Sequence, residues 1–422
     1  MSSPQPSASA AIPGSTADGR SSIRECCKAS RVSRSLLVNL FALALVVVVI
    51  ATVIGLVALW PRDGTVEPPP QLTTRKTEQA EIRSVALVRC PVPGQRGCRR
   101  VTFELESGKD KGSAYSITVT EAADTLLLTP GDRIRVNRNE LPPGAQIGGV
   151  EIDRYSLADF ERRTPLYWLT ALFAALVIAT SRWKGLRALV GLLVSLAVVV
   201  EFVVPAILDG RSPSGVAIVG AMAIMLVTLA LAHGLGVKTL AASLGTAGAL
   251  LLTMGLASLF TELAHLTGLS SDEAAFLQAT VGSISIRGLF LAGVVIAALG
   301  VLDDLTVTQS SIVLALRRAD PTLGVRALFR GALSVGHDHI AATVNTLVLA
   351  YAGASLPVLL IFSLGGTSFG DAINSEAVAE QIVATLVGSI GLIAAVPITT
   401  VIAALLATHV RPTALAAEAH VH

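Results

Sequence analysis

Long runs of apolar residues alternate with short polar connections over most of the chain. Eight such runs lie at 36–60, 165–181, 185–208, 214–233, 238–263, 288–316, 336–363 and 379–408. A helix of about 20 apolar residues crosses a hydrocarbon layer of roughly 30 Å. The pattern therefore predicts a polytopic α-helical membrane protein with about eight transmembrane helices.

The segment at 61–163 breaks this pattern and has the character of a soluble domain. Four stretches rich in alternating or β-branched residues lie at 82–88, 100–105, 114–119 and 133–136, with Gly- and Pro-containing turns between them. They predict a small β-rich domain of the OB or a related barrel type between spans 1 and 2. The predicted organisation is a disordered tail at 1–35, helix 1 at 36–60, the β domain at 61–163, a seven-helix membrane domain at 164–409 and a tail at 410–422.

The distribution of basic residues predicts the orientation of these spans. One set of connections contains Arg182, Lys184, Arg187, Lys238, Arg317, Arg318, Arg326, Arg330 and Arg411, whereas the short connections on the other side contain only Arg211 and Arg287. Cytoplasmic loops are enriched in Lys and Arg. Both termini are therefore predicted to be cytoplasmic and the β domain to be outside. The first run is about 25 residues long and lacks a cleavage site, so we interpret it as a retained span.

Composition agrees with a membrane protein and argues against nucleic-acid binding. Hydrophobic residues make up 52% of the chain and charged residues 15%, against about 25% charged residues in soluble proteins. The basic residues form short clusters beside the spans, without interleaved aromatic residues or a nucleic-acid motif. The lipid bilayer is the partner that this composition predicts, and no nucleic acid is expected.

Two cysteines fall in the predicted outer domain. Cys90 and Cys98 are eight positions apart, with a Pro-Gly-Gln-Arg-Gly segment between them, whereas Cys26 and Cys27 lie in the cytoplasmic tail. An oxidising compartment permits a disulfide, and no histidine stands nearby to suggest a metal site. We expect a Cys90–Cys98 disulfide, with a free pair of thiols as the alternative.

Two acidic residues lie near the middle of the sixth run. Burying an ionisable side chain at this depth costs at least about 2.5–3.5 kcal/mol, so Asp303 and Asp304 should face protein or water. Helical spacing aligns Asp304 with Thr308 and Ser311, and Asp303 with Thr306 and Ser310 on a neighbouring face. This polar strip suits a path for protons or cations. The alternative is structural, with both acids accepting hydrogen bonds from neighbouring helices.

The seventh run opens with a second polar segment, Gly336-His337-Asp338-His339, and continues to Asn345. Residues two apart on a helix diverge, so His337 and His339 cannot grip one metal ion without other ligands. Capping or proton exchange is the role we expect for these histidines, and no metal site is predicted. Asp338 and Asn345 are candidates for the polar path. Between the two polar spans, residues 319–335 are predicted to form a helix at the cytoplasmic interface.

These polar spans resemble the YibE/F-like family of bacterial multispan membrane proteins. The resemblance runs from Leu299 to Pro357 and is strongest from Asn345-Thr346-Leu347 through Ala350-Tyr351-Ala352-Gly353. The order of Glu106-Ser107-Gly108, Lys111-Gly112 and Gly131-Asp132 resembles the family's outer domain, so the resemblance covers most of residues 80–408. The family pattern favours Gly-Arg-Asp where this chain has Gly336-His337-Asp338. His337 and His339 depart from it, and only Asp338 carries over.

The resemblance implies a multi-pass protein of the bacterial plasma or inner membrane, but it does not define a biochemical role. The first functional hypothesis is a secondary transporter or exporter of an unknown small solute or ion, with a carboxylate-lined path. The alternative is a non-transporting receptor or scaffold whose outer β domain binds a protein partner. An enzyme is not expected, because the sequence has no nucleophile elbow, His-Glu-x-x-His motif or Gly-rich phosphate loop. No cofactor is predicted.

Overall fold

A computed structural model describes residues 19–62, 77–90, 97–119, 128–139, 146–147, 150–151 and 153–410. The strands are β1 (Thr77–Leu87), β2 (Arg99–Leu105), β3 (Ala114–Val119), β4 (Arg133–Arg138), β5 (Gln146–Ile147), β6 (Val150–Glu151) and β7 (Tyr155–Phe160). The helices are α1 (Gly19–Leu59), α2 (Arg163–Val198), α3 (Val204–Leu208), α4 (Pro213–His233), α5 (Val237–Leu263), α6 (Asp272–Val281), α7 (Ile286–Ala319), α8 (Val325–Ala354), α9 (Leu356–Leu364), α10 (Phe369–Asn374) and α11 (Glu376–His409). A π-helical turn, Val199–Val203, joins α2 to α3.

The chain divides into two compact units, residues 67–186 and the remainder. The first contains a five-stranded antiparallel sheet in the order β3-β2-β1-β4-β7. Alternate residues of these strands are buried in one apolar core that includes Ile82, Phe103 and Ile134, as expected where one face of a sheet is covered. The edge strands β3 and β7 approach each other, and the rings of Tyr115 and Tyr155 lie 4.7 Å apart. The sheet is therefore a small curled half-barrel.

Tyr155 connects the start of β7 to the β2–β3 turn. Its hydroxyl donates to Asp110 over 2.8 Å, and Arg154 donates to the same carboxylate over 3.1 Å. The hydrogen bond from Tyr155 holds the pKa of Asp110 below its usual value. Burial of the ring, followed by this hydrogen bond, raises the pKa of Tyr155. The predicted strands correspond to β1–β4, and β7 was missed because polar residues interrupt its alternation.

A disulfide joins Cys90 and Cys98, whose Cα atoms lie 5.1 Å apart. The amide of Val88 donates to the carbonyl of Cys98 over 2.9 Å, so the bridge closes the connection between β1 and β2. The side chain of Cys98, just before β2, is buried.

The second unit is a helical bundle built around α5, α7 and α11, with α4 and α8 packed against this group. Small residues let α5 and α11 approach closely. A Cβ atom at Gly245 would lie 2.0 Å from Thr399 Oγ1, and one at Gly391 would lie 2.0 Å from Thr253 Oγ1. Ala241 and Ala249, spaced four residues on either side of Gly245, are also buried in this unit.

Six helical segments of the described residues are long and apolar enough to cross a membrane, and α8 with α9 makes a seventh if that pair is one bent span. The chain is therefore a helical protein with six to seven candidate spans. The runs at 165–181 and 185–208 form one helical stretch of 46 residues, Arg163–Leu208. It contains a break at Arg182, where φ is 49° and ψ is −125°.

Three predicted boundaries differ from the structure. The first helix begins at Gly19 rather than Leu36, so the predicted disordered tail overlaps it at 19–35, and residues 1–18 lie outside the described residues. The separate interfacial helix at 319–335 is wrong, because α8 runs without interruption from Val325 to Ala354. The predicted span at 336–363 is bent by 59° between α8 and α9. The tail at 411–422 also lies outside the described residues.

Candidate functional site

A cavity of about 530 Å³ lies between α2, α4 and α7 in the helical unit. Most of its lining is apolar, and its polar residues are Ser195, Thr228, His233, Asp303 and Asp304. We call this cavity the acid cleft. Gly300 also lines it, and a Cβ atom at Gly300 would meet no other atom within 4 Å. The absence of a side chain at Gly300 therefore keeps open the space one turn before Asp304.

The carboxylate of Asp303 has few hydrogen-bond partners for a half-buried group. Thr228 Oγ1 lies 3.5 Å from Asp303 Oδ2, but it is closer to the backbone carbonyl of Ile224, at 2.8 Å. A hydroxyl has one proton to donate, so the contact with Asp303 is weak. Asp303 Oδ1 is buried and has no hydrogen-bond partner among the described residues. A buried carboxylate oxygen of this kind is stabilised when a proton, a cation or a water molecule pairs with it.

Asp304 is exposed on the neighbouring face of α7 and also lines the acid cleft. It makes no ion pair with any residue that the structure describes. Two adjacent carboxyl groups thus share one cleft with mostly apolar walls. Two adjacent negative charges repel each other strongly in such surroundings.

His233, at the end of α4, lies at the far end of the acid cleft, and no sequence pattern predicted it. Its Nδ1 lies 3.2 Å from the ammonium nitrogen of Lys238, at the start of α5. The cleft therefore extends along α7 and α4 from Asp303 towards a basic helix connection. Thr228 was missed for the same reason as His233: both belong to an apolar run in which neither forms a motif.

The structure separates the other predicted path residues from the acid cleft. Thr308 and Ser311 continue the Asp304 face of α7 beyond the cleft lining, and the Ser311 hydroxyl donates to the Val307 carbonyl over 2.7 Å. Asp338 and Asn345 are exposed on α8 and do not line the cleft. The predicted path is therefore divided between α7 and α8.

The two histidines of the polar segment in α8 do not enter the acid cleft either. His337 is exposed and His339 is half-buried, and the Thr343 hydroxyl donates to the carbonyl of His339 over 2.8 Å. Within the described residues, no group of three or more His, Cys, Asp or Glu side chains is arranged to hold a metal ion.

Two polar residues of α7 face the interior of the bundle. The side chains of Thr306 and Gln309 are buried, and Gln309 donates to the Ala332 carbonyl over 2.9 Å and to Thr400 Oγ1 over 2.8 Å. These bonds link α7 to α8 and α11. Thr306, which helical spacing groups with Asp303, is therefore buried in the bundle and does not line the acid cleft.

A model of the YibE/F-like protein family matches residues 169–409, which is more than half of the chain. The chain belongs to the YibE/F-like family. The match includes all the polar residues of the acid cleft and the polar face of α8 in this YibE/F-like chain. It begins at Leu169, beyond the β domain, so the resemblance of that domain to the family stays a prediction. No curated protein and no solved structure matches the chain.

Proposed function

We propose that this YibE/F-like protein is a secondary transporter in which Asp303 and Asp304 exchange a proton or cation through the acid cleft. One observation carries the proposal: the poorly hydrogen-bonded carboxylate of Asp303 lies beside a second acid in an open cavity of about 530 Å³. A purely structural acid would have its oxygen atoms paired with donors. An acid that gains and loses a proton needs access to water and an environment that tolerates both charge states.

The proposed membrane arrangement has eight spans, both termini in the cytoplasm and the β domain outside a bacterial plasma membrane. The 46-residue stretch supports two spans, because at about 1.5 Å per residue it is roughly twice as long as a bilayer core is thick. Its break at Arg182 coincides with the basic residues Lys184 and Arg187, as expected for a cytoplasmic turn. In this orientation the acid cleft connects mid-membrane Asp303 to cytoplasmic His233.

The arrangement suggests how coupling would work. With a cation or proton bound, the Asp303 and Asp304 pair loses much of its electrostatic repulsion and tolerates the apolar walls contributed by α2, α4 and α7. When the proton or cation leaves towards the end of the cleft at His233, the Asp303 and Asp304 pair regains its negative charge. Water or solute must then enter the cleft to solvate the two carboxylates. The helices therefore close around the pair more favourably when the proton or cation is bound than when it is absent. A ligand can drive a conformational change only through such a difference in free energy between two states.

Complementation of a deletion strain tests this function, once a panel of toxic solutes and external pH values has identified a growth defect. We expect Asp303→Asn and Asp304→Asn each to lose complementation at normal protein abundance, since Asn preserves size but cannot titrate. Asp303→Glu should retain part of the function. Asp272→Asn, which changes an exposed acid at the start of α6, is the matched control. Full complementation by the Asp303→Asn/Asp304→Asn double variant would contradict transport and favour a receptor that acts through the β domain.

A further inference from the structure

A second cavity, of about 310 Å³, lies where α4 and α7 begin. Its lining includes Arg211 and Arg287 together with four serines, Ser212, Ser214, Ser283 and Ser285. We call it the arginine–serine pocket. It shares no lining residue with the acid cleft, so its role is independent of the proposed proton exchange.

The two arginines come from distant parts of the sequence. They are the two basic residues in the short connections on the predicted outer side, where arginine is disfavoured relative to the cytoplasmic side. Folding brings both to one cavity. The buried Nε of Arg211 lies 3.5 Å from Asp209 Oδ2, so it forms an ion pair with Asp209, although it makes no hydrogen bond within the described residues. The Nε of Arg287 donates to the Leu266 carbonyl over 3.0 Å, and its terminal nitrogens make no hydrogen bond to the part of the chain that the structure describes.

The helix starts add hydrogen-bond donors and positive potential to the same cavity. Pro213 of α4 and Gly288 of α7 are in contact, since a Cβ atom at Gly288 would lie 3.1 Å from Pro213 Cδ. The first turn of α4 leaves the amides of Ser214 and Gly215 without an intrahelical acceptor. Two parallel helix dipoles therefore present their positive ends side by side, which an anion would stabilise.

We propose that the arginine–serine pocket binds a phosphate-type oxyanion at the outer end of the helical unit. Arginine matches the geometry of phosphate through paired N–H donors, and serine hydroxyls with first-turn amides supply neutral donors. The Ser212 and Ser214 hydroxyls lie 3.2 Å apart, so one of them donates to the other and the second keeps its proton for a ligand. Asp209 offsets the charge of Arg211, so the cationic surplus comes from Arg287 and the two helix dipoles. The pocket lies at the low end of the range of about 300–1,000 Å³ for small-molecule sites. The phosphate group belongs either to a free ion or to a phospholipid headgroup.

Binding to the purified full-length protein tests the proposal. The first arm measures the apparent Tm with increasing inorganic phosphate against potassium chloride of equal ionic strength. A second arm counts retained phosphatidylglycerol molecules by native mass spectrometry after exchange from mixed nanodiscs. A rise in Tm with phosphate alone indicates a free ion, whereas specific lipid retention without this rise indicates a headgroup. Absence of both effects would overturn the site.

Variants locate the effect. We expect Arg211→Gln and Arg287→Gln each to weaken phosphate or lipid binding at least tenfold, and Arg211→Lys to retain part of it. Arg330→Gln, on the exposed face of α8, is the control for a lost positive charge. Because Arg287 also donates to Leu266, Ser214→Ala serves as a second, milder probe and should weaken binding without lowering the Tm of the ligand-free protein. Binding that is equal in Arg211→Gln, Arg287→Gln and Arg330→Gln would reject the pocket as its location.

Discussion

The hydroxyl oxygens of Thr246 on α5 and Thr306 on α7 lie 2.7 Å apart, and both side chains are fully buried. This pair decides the role of Thr306, which helical spacing alone had placed beside Asp303 on a polar strip. The threonine pair ties α7 to α5, while the acids one turn earlier face the acid cleft.

The threonine pair should show strong energetic coupling. Thr306→Val leaves the buried Thr246 hydroxyl without the Thr306 partner, at a cost of about 1–3 kcal/mol in the free energy of unfolding. Thr246→Val should cost less, because the Thr306 hydroxyl still donates to the backbone carbonyl of Asp303 over 3.2 Å. The double variant replaces both hydroxyls with methyl groups and should be more stable than the sum of the single effects implies. A double-mutant cycle of unfolding free energies in detergent measures this coupling. Additive effects would show that the two hydroxyls do not interact.

Filling the acid cleft should block access to the acids. Gly300→Leu places a side chain in the cleft, since nothing lies within 4 Å of its Cβ position. We expect labelling of Asp303 by a carbodiimide, measured by mass spectrometry, to fall severalfold. Gly293→Leu is the matched control, because its Cβ position is equally open but lies outside the cleft lining. Equal labelling of both variants would mean that the reagent reaches Asp303 by another route.

The Asp110–Tyr155 hydrogen bond predicts acid sensitivity of the β domain. Because the pKa of Asp110 is lowered in the folded state, its contribution to stability is present above its ordinary pKa of 3.8. That contribution is lost as the pH falls through the lowered folded-state value. Hydrogen exchange of residues 153–160, referenced to unfolded peptide at each pH, should show protection that declines below about pH 4. Asp110→Asn should lower protection at pH 7 and flatten this decline, and an unchanged acid profile would count against the linkage.

Close packing at Gly245 should make that position intolerant of a methyl group. Gly245→Ala would place Cβ 2.0 Å from Thr399 Oγ1 and 3.2 Å from its Cα, so the helix backbones must separate. We expect a loss of about 1–3 kcal/mol in unfolding free energy, partly recovered in Gly245→Ala/Thr399→Ala. Gly255→Ala, on the same helix with open space around it, is the control and should cost little. Thermal unfolding of the purified variants compares them.

The helical character and the central acids could be predicted from sequence, because apolar length and the cost of a mid-membrane carboxylate are local properties. Helical spacing grouped Asp304 with Thr308 and Ser311, but only Asp304 of these three lines the acid cleft. It could not show which face points inward, since that depends on the neighbouring helices. Thr228 enters the site from about 75 residues away, a relationship that no local pattern reveals.

The boundary errors have local causes. A helix was predicted over 319–335, but Pro321 lies in the turn before Gly324, and the helix begins at Val325. Gly336 was predicted to open a new span, whereas it packs inside α8 with its Cβ position 3.0 Å from Gln309 Oε1. A glycine in an apolar stretch marks close packing as readily as a helix end, and the sequence does not separate the two cases.

The two glycine–threonine contacts between α5 and α11 limit which parts of the protein can move. Gly245 contacts Thr399, and Gly391 contacts Thr253. Each helix therefore has one glycine and one threonine eight residues apart, and each threonine packs against the glycine of the other helix. If either helix slid by one turn, about 5.4 Å, each threonine would lose its glycine partner and would clash with a larger side chain or backbone. The packed helices α5 and α11 therefore stay fixed relative to each other. Any opening or closing of the acid cleft around Asp303 must come from movement of α2 and α4, which line the cleft opposite α7.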